Sequence, residues 1–519
     1  MFIQRVAIGA LFLCALNAHA DEPAPPPFEV QEYRVLGNTV LTNVEIEKIL
    51  YPLLGPNKTI RDVEQARVAL ETGYHARGYG TVFVDIPEQE IDRGIVRLHV
   101  TEAKLTHTRV TGANYFLARD IREALPAATP QEVPHLPSLQ AQLSDLNTQT
   151  RDRSVIPVLK AGAAPGTVDL NLKVDDHLPL HGSLEVNNQY TADTSPLRTL
   201  ASTSYDNLFN RLDSLALQYQ TSPEEKDEVS VWVASYTAHL DDAGRRLTLF
   251  YVDSNSDVAA VGTLAVLGKG KIFGARFVQP WITGTSMSHS LTLGADYKDF
   301  GEDIRLDPET GLHTPISYMN LSAGYAGNGG SGRWHWSAGT TANFGVRGLA
   351  NDEAEFENKR FKARPNYLFL RSDLGLDIAL PWDFRASLKA SGQFAVEPLI
   401  SNEEFSIGGA QTVRGYLEAE ELGDMGFAAT AQLVSPSWRP FISWAQLSGF
   451  VFYDGGRVNS IDSLPGQPTS SALRSWGAGI EIEMLGHVNG ALTWADPLLS
   501  GSNTRVGDSR WLFSIRGIW

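Results

Sequence analysis

The sequence predicts two small α+β modules followed by a sixteen-stranded antiparallel transmembrane β-barrel. Three observations carry that prediction. Behind an export signal, two segments of roughly 75 residues each repeat the order strand, helix, helix, strand, strand. From about residue 180 helical periodicity stops, and alternating segments of about ten residues recur to the end of the chain. The last of these segments finishes on an aromatic residue, Trp519.

The first segment is read as a signal peptide, residues 1–20. Arg5 supplies the positive end, residues 6–16 the apolar run, and Ala18-His19-Ala20 a small-x-small cleavage site before Asp21. A buried or spanning helix is the alternative, but the run is short for a bilayer and no second one follows. The single cysteine, Cys14, lies in this run behind the bulky Leu13, where a lipoprotein signal needs a small residue. The exported chain is therefore expected to lack thiols and disulfides, as suits a bacterial envelope protein. A formal net charge of −17 on 519 residues argues against a phosphate backbone as partner, so no nucleic acid is expected. With 20% charged and 43% hydrophobic residues, the chain is not a disordered acidic tail either.

Residues 21–27 form a short proline-rich lead. The first module, residues 28–104, opens with an alternating strand over 28–36. Thr42 and Glu45 then make a capping box ahead of Val44, Ile46, Ile49 and Leu50 at helical spacing. A second helix spans 60–74, with Val63, Ala66, Leu70 and Tyr74 on one face, and strands follow at 82–86 and 95–100. The second module, residues 105–178, repeats the order, with helices at 117–125 and 136–146 and strands at 155–159 and 168–174.

Residues 179–519 carry dyad patterning. Leu215, Leu217 and Tyr219 alternate with Ser214, Ala216, Gln218 and Gln220; Leu291, Leu293, Ala295 and Tyr297 alternate with Ser290, Thr292, Gly294 and Asp296. Such alternation also suits a soluble sandwich. Segment length, aromatics near segment ends and the export signal favour a membrane barrel with a polar lumen. Sixteen segments begin near residues 182, 197, 212, 228, 245, 270, 288, 315, 333, 364, 384, 427, 444, 472, 486 and 509. The even count lets an antiparallel sheet close, at roughly 21 residues per strand with its loops. In the last one Trp511, Phe513, Ile515, Gly517 and Trp519 share a face. A terminal aromatic is weak evidence in a chain that is 9% aromatic, but the alternation before it resembles the assembly signal of outer-membrane barrels.

Several motifs now carry a resemblance. Gly37-Asn38-Thr39, Tyr74-His75-Ala76-Arg77-Gly78-Tyr79 and Pro87-Glu88-Gln89 with Gly94 resemble a first polypeptide-transport-associated (POTRA) domain, and Pro165-Gly166 before Val168-Asp169-Leu170 the end of a second. Residues 206–213 resemble the turn after a second barrel strand. The most specific match is Gly408-Gly409-Ala410-Gln411-Thr412-Val413-Arg414-Gly415-Tyr416, followed by Gly423-Asp424, in a long loop at about 396–426. Its partner is Phe452-Tyr453-Asp454-Gly455-Gly456. Together these resemble the outer-membrane transporters of two-partner secretion (TpsB type), the ShlB/FhaC/HecB haemolysin secretion/activation family of the BamA-like superfamily. The resemblance implies that the loop folds into the lumen with Val413, Arg414, Gly415 and Tyr416 at its tip, and that Phe452, Asp454 and Gly456 line the lumen opposite it.

The residues make chemical sense of that pairing. Arginine's planar fork matches a carboxylate bidentately, and Gly415 permits backbone angles closed to other residues. Tyr416 can pack its ring while its hydroxyl finds a polar partner. Arg414 and Asp454 lie far apart in sequence, and by themselves they also read as an exposed loop arginine and a strand-end aspartate. In a water-filled lumen the pair would be worth about 0–1 kcal/mol, a positional device more than a stabilising one.

Other candidates are weaker. Gly268-Lys269-Gly270-Lys271 lacks the spacing of a phosphate loop and reads as a hairpin turn. His177 and His181 flank Pro179, which disfavours the helix that would align two metal ligands. Trp334-His335-Trp336 reads as an interfacial aromatic girdle. No metal, no cofactor and no catalytic residue is expected.

The resemblance thus implies a pore that recognises an unfolded β-rich exoprotein (TpsA type) in the periplasm through its POTRA domains and moves it to the cell surface without nucleotide. It implies a cell outer-membrane location, the lipid bilayer as solvent, and the barrel assembly machinery and periplasmic chaperones as partners during biogenesis. With so short a lead, a plug helix ahead of Phe28 is not expected, which leaves the loop as the obstruction. An assembly factor that inserts other barrels is the alternative, against which two POTRA units rather than three or five argue. A passive porin is the third, and it leaves both modules idle.

Overall fold

A computed structural model describes residues 27–519 apart from 193, 242, 257, 262–263, 284–286, 302, 308–309 and 440–443. The signal peptide and residues 21–26 of the lead lie outside the described residues. The chain divides into two units, Met1–His177 and Leu178–Trp519.

In the first unit the strand expected over 28–36 is broken. Phe28–Val30 pairs antiparallel with Gly55–Lys58, a strand the sequence pattern does not reveal, and Glu32–Leu36 pairs parallel with Ile95–Glu102. The cause is the Gly94 carbonyl, which accepts from the amides of Gln31 (2.8 Å) and Glu32 (3.2 Å) and turns the chain between two sheets. Helices Asn43–Leu50 and Ile60–Ala76 both start at capping boxes, Thr42 with Glu45 and Thr59 with Asp62. Their apolar faces bury Ile46, Leu50, Ala66, Leu70 and Tyr74 against Val82, Val84, Leu98 and Val100. The second module sets helices Ala118–Glu123 and Leu136–Thr148 on strands Lys104–Thr111, Arg153–Ala161 and Thr167–Asp176. In both sheets the last strand is central, with the first strand parallel on one side and the strand just before it in sequence antiparallel on the other.

The repeat extends to single atoms. Gly37 and Gly112 both have φ +88°, and a Cβ on either would lie 2.3 Å from a carbonyl oxygen, that of Val100 or Val174. Only glycine fits there. Two residues beyond each valine an acid closes the same turn. Glu102 accepts from the amides of Thr39 (2.8 Å) and Val40 (2.9 Å) and from the Tyr74 hydroxyl (3.1 Å). Asp176 accepts from the amides of Asn114 (2.9 Å), Tyr115 (2.8 Å) and Phe116 (3.2 Å). Burial opposes ionisation of both acids, but these hydrogen bonds outweigh it and hold both below the usual carboxylate range.

The second unit is a closed barrel of sixteen antiparallel strands: Leu180–Asn187, Arg198–Leu208, Asp213–Thr221, Ser230–His239, Arg246–Ser254, Gly270–Thr283, Met287–Phe300, Ile316–Ser331, Trp334–Gly345, Leu368–Ala379, Arg385–Ala395, Met425–Val434, Ala445–Asn459, Ser470–Met484, Val488–Pro497 and Arg510–Ile518. Every one of the sixteen expected segments meets a strand. The last strand closes on the first from Ser514↔Asn187 to Ile518↔Ser183. The chain enters at one rim, the near rim, so odd-numbered strands run towards the far rim.

Alternation sets the two faces of the wall. On the thirteenth strand Val451 (53% exposed) and Tyr453 (49%) point outward, while Phe450, Phe452, Asp454 and Val458 are buried within. Exposed tryptophans ring both rims, Trp334, Trp382, Trp444 and Trp519 near and Trp232, Trp476 and Trp511 far. Two expectations fail. The lumen is polar at the near rim, where Glu185, Glu481, Glu483 and Arg516 gather, but the far half holds an apolar cluster. There Val231, Val252, Phe300, Tyr318 and Phe369 pack with Phe356, carried on helix Glu353–Lys359 in the loop after the ninth strand. The helix begins at an Asp352 cap that the barrel pattern had hidden. Gly268-Lys269-Gly270-Lys271 is no hairpin turn. It links Leu264–Leu267, which folds back on Val258–Val261, to the sixth barrel strand.

Candidate functional site

The eleventh and twelfth strands are joined by residues 396–424, the longest described segment between neighbouring barrel strands apart from hairpins of its own. Short strands Phe405–Ile407 and Glu421–Gly423 pair, so the loop is itself a hairpin. Its tip carries Val413, Arg414, Gly415 and Tyr416. Phe405, Ile407, Val413 and Tyr416 pack on the inward residues Ala428, Val458 and Leu473. The loop therefore lies against the inner wall.

Arg414 meets Asp454 through two parallel bonds, Nε to Oδ2 at 2.8 Å and Nη2 to Oδ1 at 2.9 Å. Its amide donates to the same carboxylate at 3.1 Å, and Nη1 donates to Gln432 Oε1 at 2.8 Å. The guanidinium lies 3.4 Å from the centroid of the Phe452 ring. The side chain of Arg414 is 13% exposed and that of Asp454 0%. The pair is largely buried, where the sequence reading expected a contact in a water-filled lumen. Aromatic rings at Phe450 and Phe452 and the loop itself exclude the solvent.

Its neighbours explain the motif's other residues. A Cβ on Gly456 would come within 3.2 Å of Val413 Cγ2, so the glycine makes room for that valine. Gly415 has φ +94°, and a Cβ there would lie 3.3 Å from Ala495 Cβ. The Tyr416 hydroxyl shares its proton between the carbonyls of Leu499 (2.6 Å) and Arg474 (2.8 Å) and accepts from both amides at 3.3 Å. It staples the tip to the fourteenth strand and to the loop after the fifteenth.

Three further anchors hold the loop, at Asp424, Glu403 and Glu420. Asp424, fully buried, accepts from Arg360 (2.8 Å) and from the amides of Leu399 and Ile461 (both 2.6 Å). Arg360 also pairs with Glu404. Glu403 reaches the opposite wall, where it accepts from Tyr318 (2.6 Å) and pairs with Lys298. Glu420 accepts from the amides of Asn503 (2.6 Å) and Thr504 (2.7 Å). Only Asp424 had a sequence signal, its position after Gly423.

At the C-terminus Trp511, Ile515 and Trp519 are exposed on the outer face and Phe513 lies between them, its amide donating to Asn188 Oδ1 at 2.8 Å. Trp519 exchanges backbone hydrogen bonds with Gly182 (3.0 and 3.1 Å). His177 and His181 fall in different units, and His181 stands 3.6 Å from Asp206.

Comparison with known proteins agrees with this architecture. Residues 166–483, well over half of the chain, match the model of the haemolysin secretion/activation protein ShlB/FhaC/HecB, and residues 28–103 that of the ShlB-type POTRA domain. The chain is similar to the outer membrane transporter CdiB of Dickeya dadantii, 23% identical over 478 residues that cover 88% of this chain and 80% of that one. It is similar to CdiB of Escherichia coli O6:K15:H31 at 23% over 511 residues, covering 91% and 79%. Among solved structures, CdiB from Escherichia coli superposes with a TM-score of 0.61 at 18% identity over 96% of this chain and 92% of that one. BamA from Haemophilus ducreyi lacking POTRA domains 1–3 gives 0.58 at 15%, over 95% and 100%.

Proposed function

The chain belongs to the ShlB/FhaC/HecB haemolysin secretion/activation family of outer-membrane transporters, and from that premise we propose that it is the secretion pore of one dedicated exoprotein, which it takes up unfolded. The near rim is then periplasmic and the far rim faces outside, with the N-terminal modules in the periplasm. Edge strands such as Glu32–Leu36 and Arg153–Ala161 are free on one side within their sheets. An extended, β-rich client can add to such an edge through backbone hydrogen bonds that demand little sequence. Residues 28–104 and 105–178 serve as the two POTRA domains, and residues 179–519 as the pore. Transport needs no nucleotide in this reading, because folding of the client outside prevents its return.

The observation that carries the proposal is the buried Arg414–Asp454 fork holding a hairpin against the inner wall. Val413, Arg414, Gly415 and Tyr416 act as the latch, and Phe452, Asp454 and Gly456 as its seat. Trp511, Phe513, Ile515 and Trp519 serve as the signal read by the barrel assembly machinery, after periplasmic chaperones have delivered the chain. A passive porin has no use for a latched hairpin or for two strand-edge modules. One feature favours the second reading, an assembly factor: the first and last strands share five register pairs, from Ser514↔Asn187 to Ile518↔Ser183, fewer than their other neighbours make.

Quantitative proteomics of medium, cell surface and outer membrane, with and without this gene, separates the two. Loss of one or two large exported proteins with other barrels unchanged is the expected result. A broad fall in outer-membrane barrels would make the chain an assembly factor instead.

A further inference from the structure

The outer wall of the barrel, between the ninth and fourteenth strands, carries a groove of about 890 Å³. It exists because Ala390, Ala429, Ala431 and Gly455 present almost no side chain there, while Leu374, Leu388 and Phe427 stand up around them. Gly455 and Tyr453 lie on the face opposite to that of Asp454, so the groove opens to the membrane rather than to the lumen.

Its far-rim end is cationic. The register places Gly455 opposite Arg474 and Arg457 opposite Ala472, which makes the two arginines diagonal neighbours on the outward face. Arg474 Cγ lies 3.8 Å from where a Cβ of Gly455 would be, so its stem runs along the groove. Arg457 donates to Asn459 and Ser470, at 3.3 and 3.2 Å. Among the described residues no carboxylate lies within 4.0 Å of either guanidinium. A cation on a lipid-facing wall is costly unless it reaches the headgroup layer and meets an anion. Two adjacent guanidinium forks suit a phosphate in particular.

We propose that this groove binds a phosphorylated, multiply acylated glycolipid of the outer leaflet. Arg457 and Arg474 hold its phosphate and an acyl chain lies over Ala429 and Ala431. The leaflet follows from the far-rim position of both arginines in a barrel whose near rim faces the periplasm. The site is independent of what passes through the pore.

Native mass spectrometry of the full-length protein in mild detergent tests the assignment, with bisphosphorylated hexa-acylated lipid A, its dephosphorylated form and phosphatidylglycerol as probes. The expected result is one retained bisphosphorylated lipid A per barrel, with each of the other probes about tenfold weaker. Arg457→Gln with Arg474→Gln should reduce retention about tenfold, and Ala429→Phe, which fills the groove, should do the same. Heat-modifiable gel mobility identifies folded barrels for the comparison. Equal retention by the arginine variant, or of dephosphorylated lipid A, would overturn the phosphate site. Equal retention of phosphatidylglycerol would overturn the glycolipid, and undiminished binding by Ala429→Phe the groove.

Discussion

Arg414→Ala should free the latch hairpin without unfolding the barrel. The substitution removes two bonds to Asp454 and one to Gln432, leaving the buried carboxylate with the Arg414 amide alone from the tip. With side chains 13% and 0% exposed, the pair behaves as buried. Deleting one partner of such a pair costs about 3–5 kcal/mol, against about 0–1 kcal/mol for an exposed pair. At about 1.36 kcal/mol per factor of ten, the undocked loop becomes roughly 10²–10⁴ times more populated. Amide hydrogen exchange of residues 408–416 in the full-length protein reads this directly, while heat-modifiable mobility reports the folded barrel. Protection of the tip should fall by that factor with the thirteenth strand unchanged, and export of the client should be poor. Asp454→Ala should behave alike. Arg414→Leu with Asp454→Leu should lose less protection than either single change to alanine, because no buried charge is left unpaired. Unchanged tip protection in Arg414→Ala would refute the buried-pair argument, and normal client export would refute the latch.

Three further outcomes are expected. Tyr416→Phe leaves the Leu499 and Arg474 carbonyls without their hydroxyl, at about 1–3 kcal/mol, and hydrogen exchange should loosen the tip while residues 421–424 stay protected. Asp424→Ala removes the acceptor of Arg360 and of two amides, so limited proteolysis from the far side should newly cut near residues 396–404, in a folded barrel. In the first module, the Glu102 pKa is depressed in the folded state. Its carboxylate therefore stabilises the fold above the unfolded value of about 4.3, and that contribution is lost as pH falls through the lower folded pKa. Exchange at residues 39–41 of the full-length protein should rise across that window in the native protein, and Glu102→Gln should show a loosened segment with no such acid step.

Much of this was legible in the sequence because strand faces are a local property. Leu291 and Leu293 point outward and Asp296 inward because a strand's own residues alternate, whatever its neighbours are. Sixteen such segments, an even number, leave closure as the arrangement without open edges. The module repeat was legible for the same reason, as short-range periodicity, and the Val-Arg-Gly-Tyr motif stood out by resemblance. Chemistry decided by distant partners was not legible. The strand break at Gln31 depends on Gly94. The apolar far half of the lumen depends on Phe356 arriving from a loop to meet Tyr318. Glu403 finds Lys298 and Tyr318, 105 and 85 residues away, and Asp424 finds Arg360. Above all, the burial of Arg414 and Asp454 is a property of the rings and walls around them rather than of either residue. Burial and partner choice arise only when strands remote in the chain bring their atoms together, and local periodicity holds no record of that.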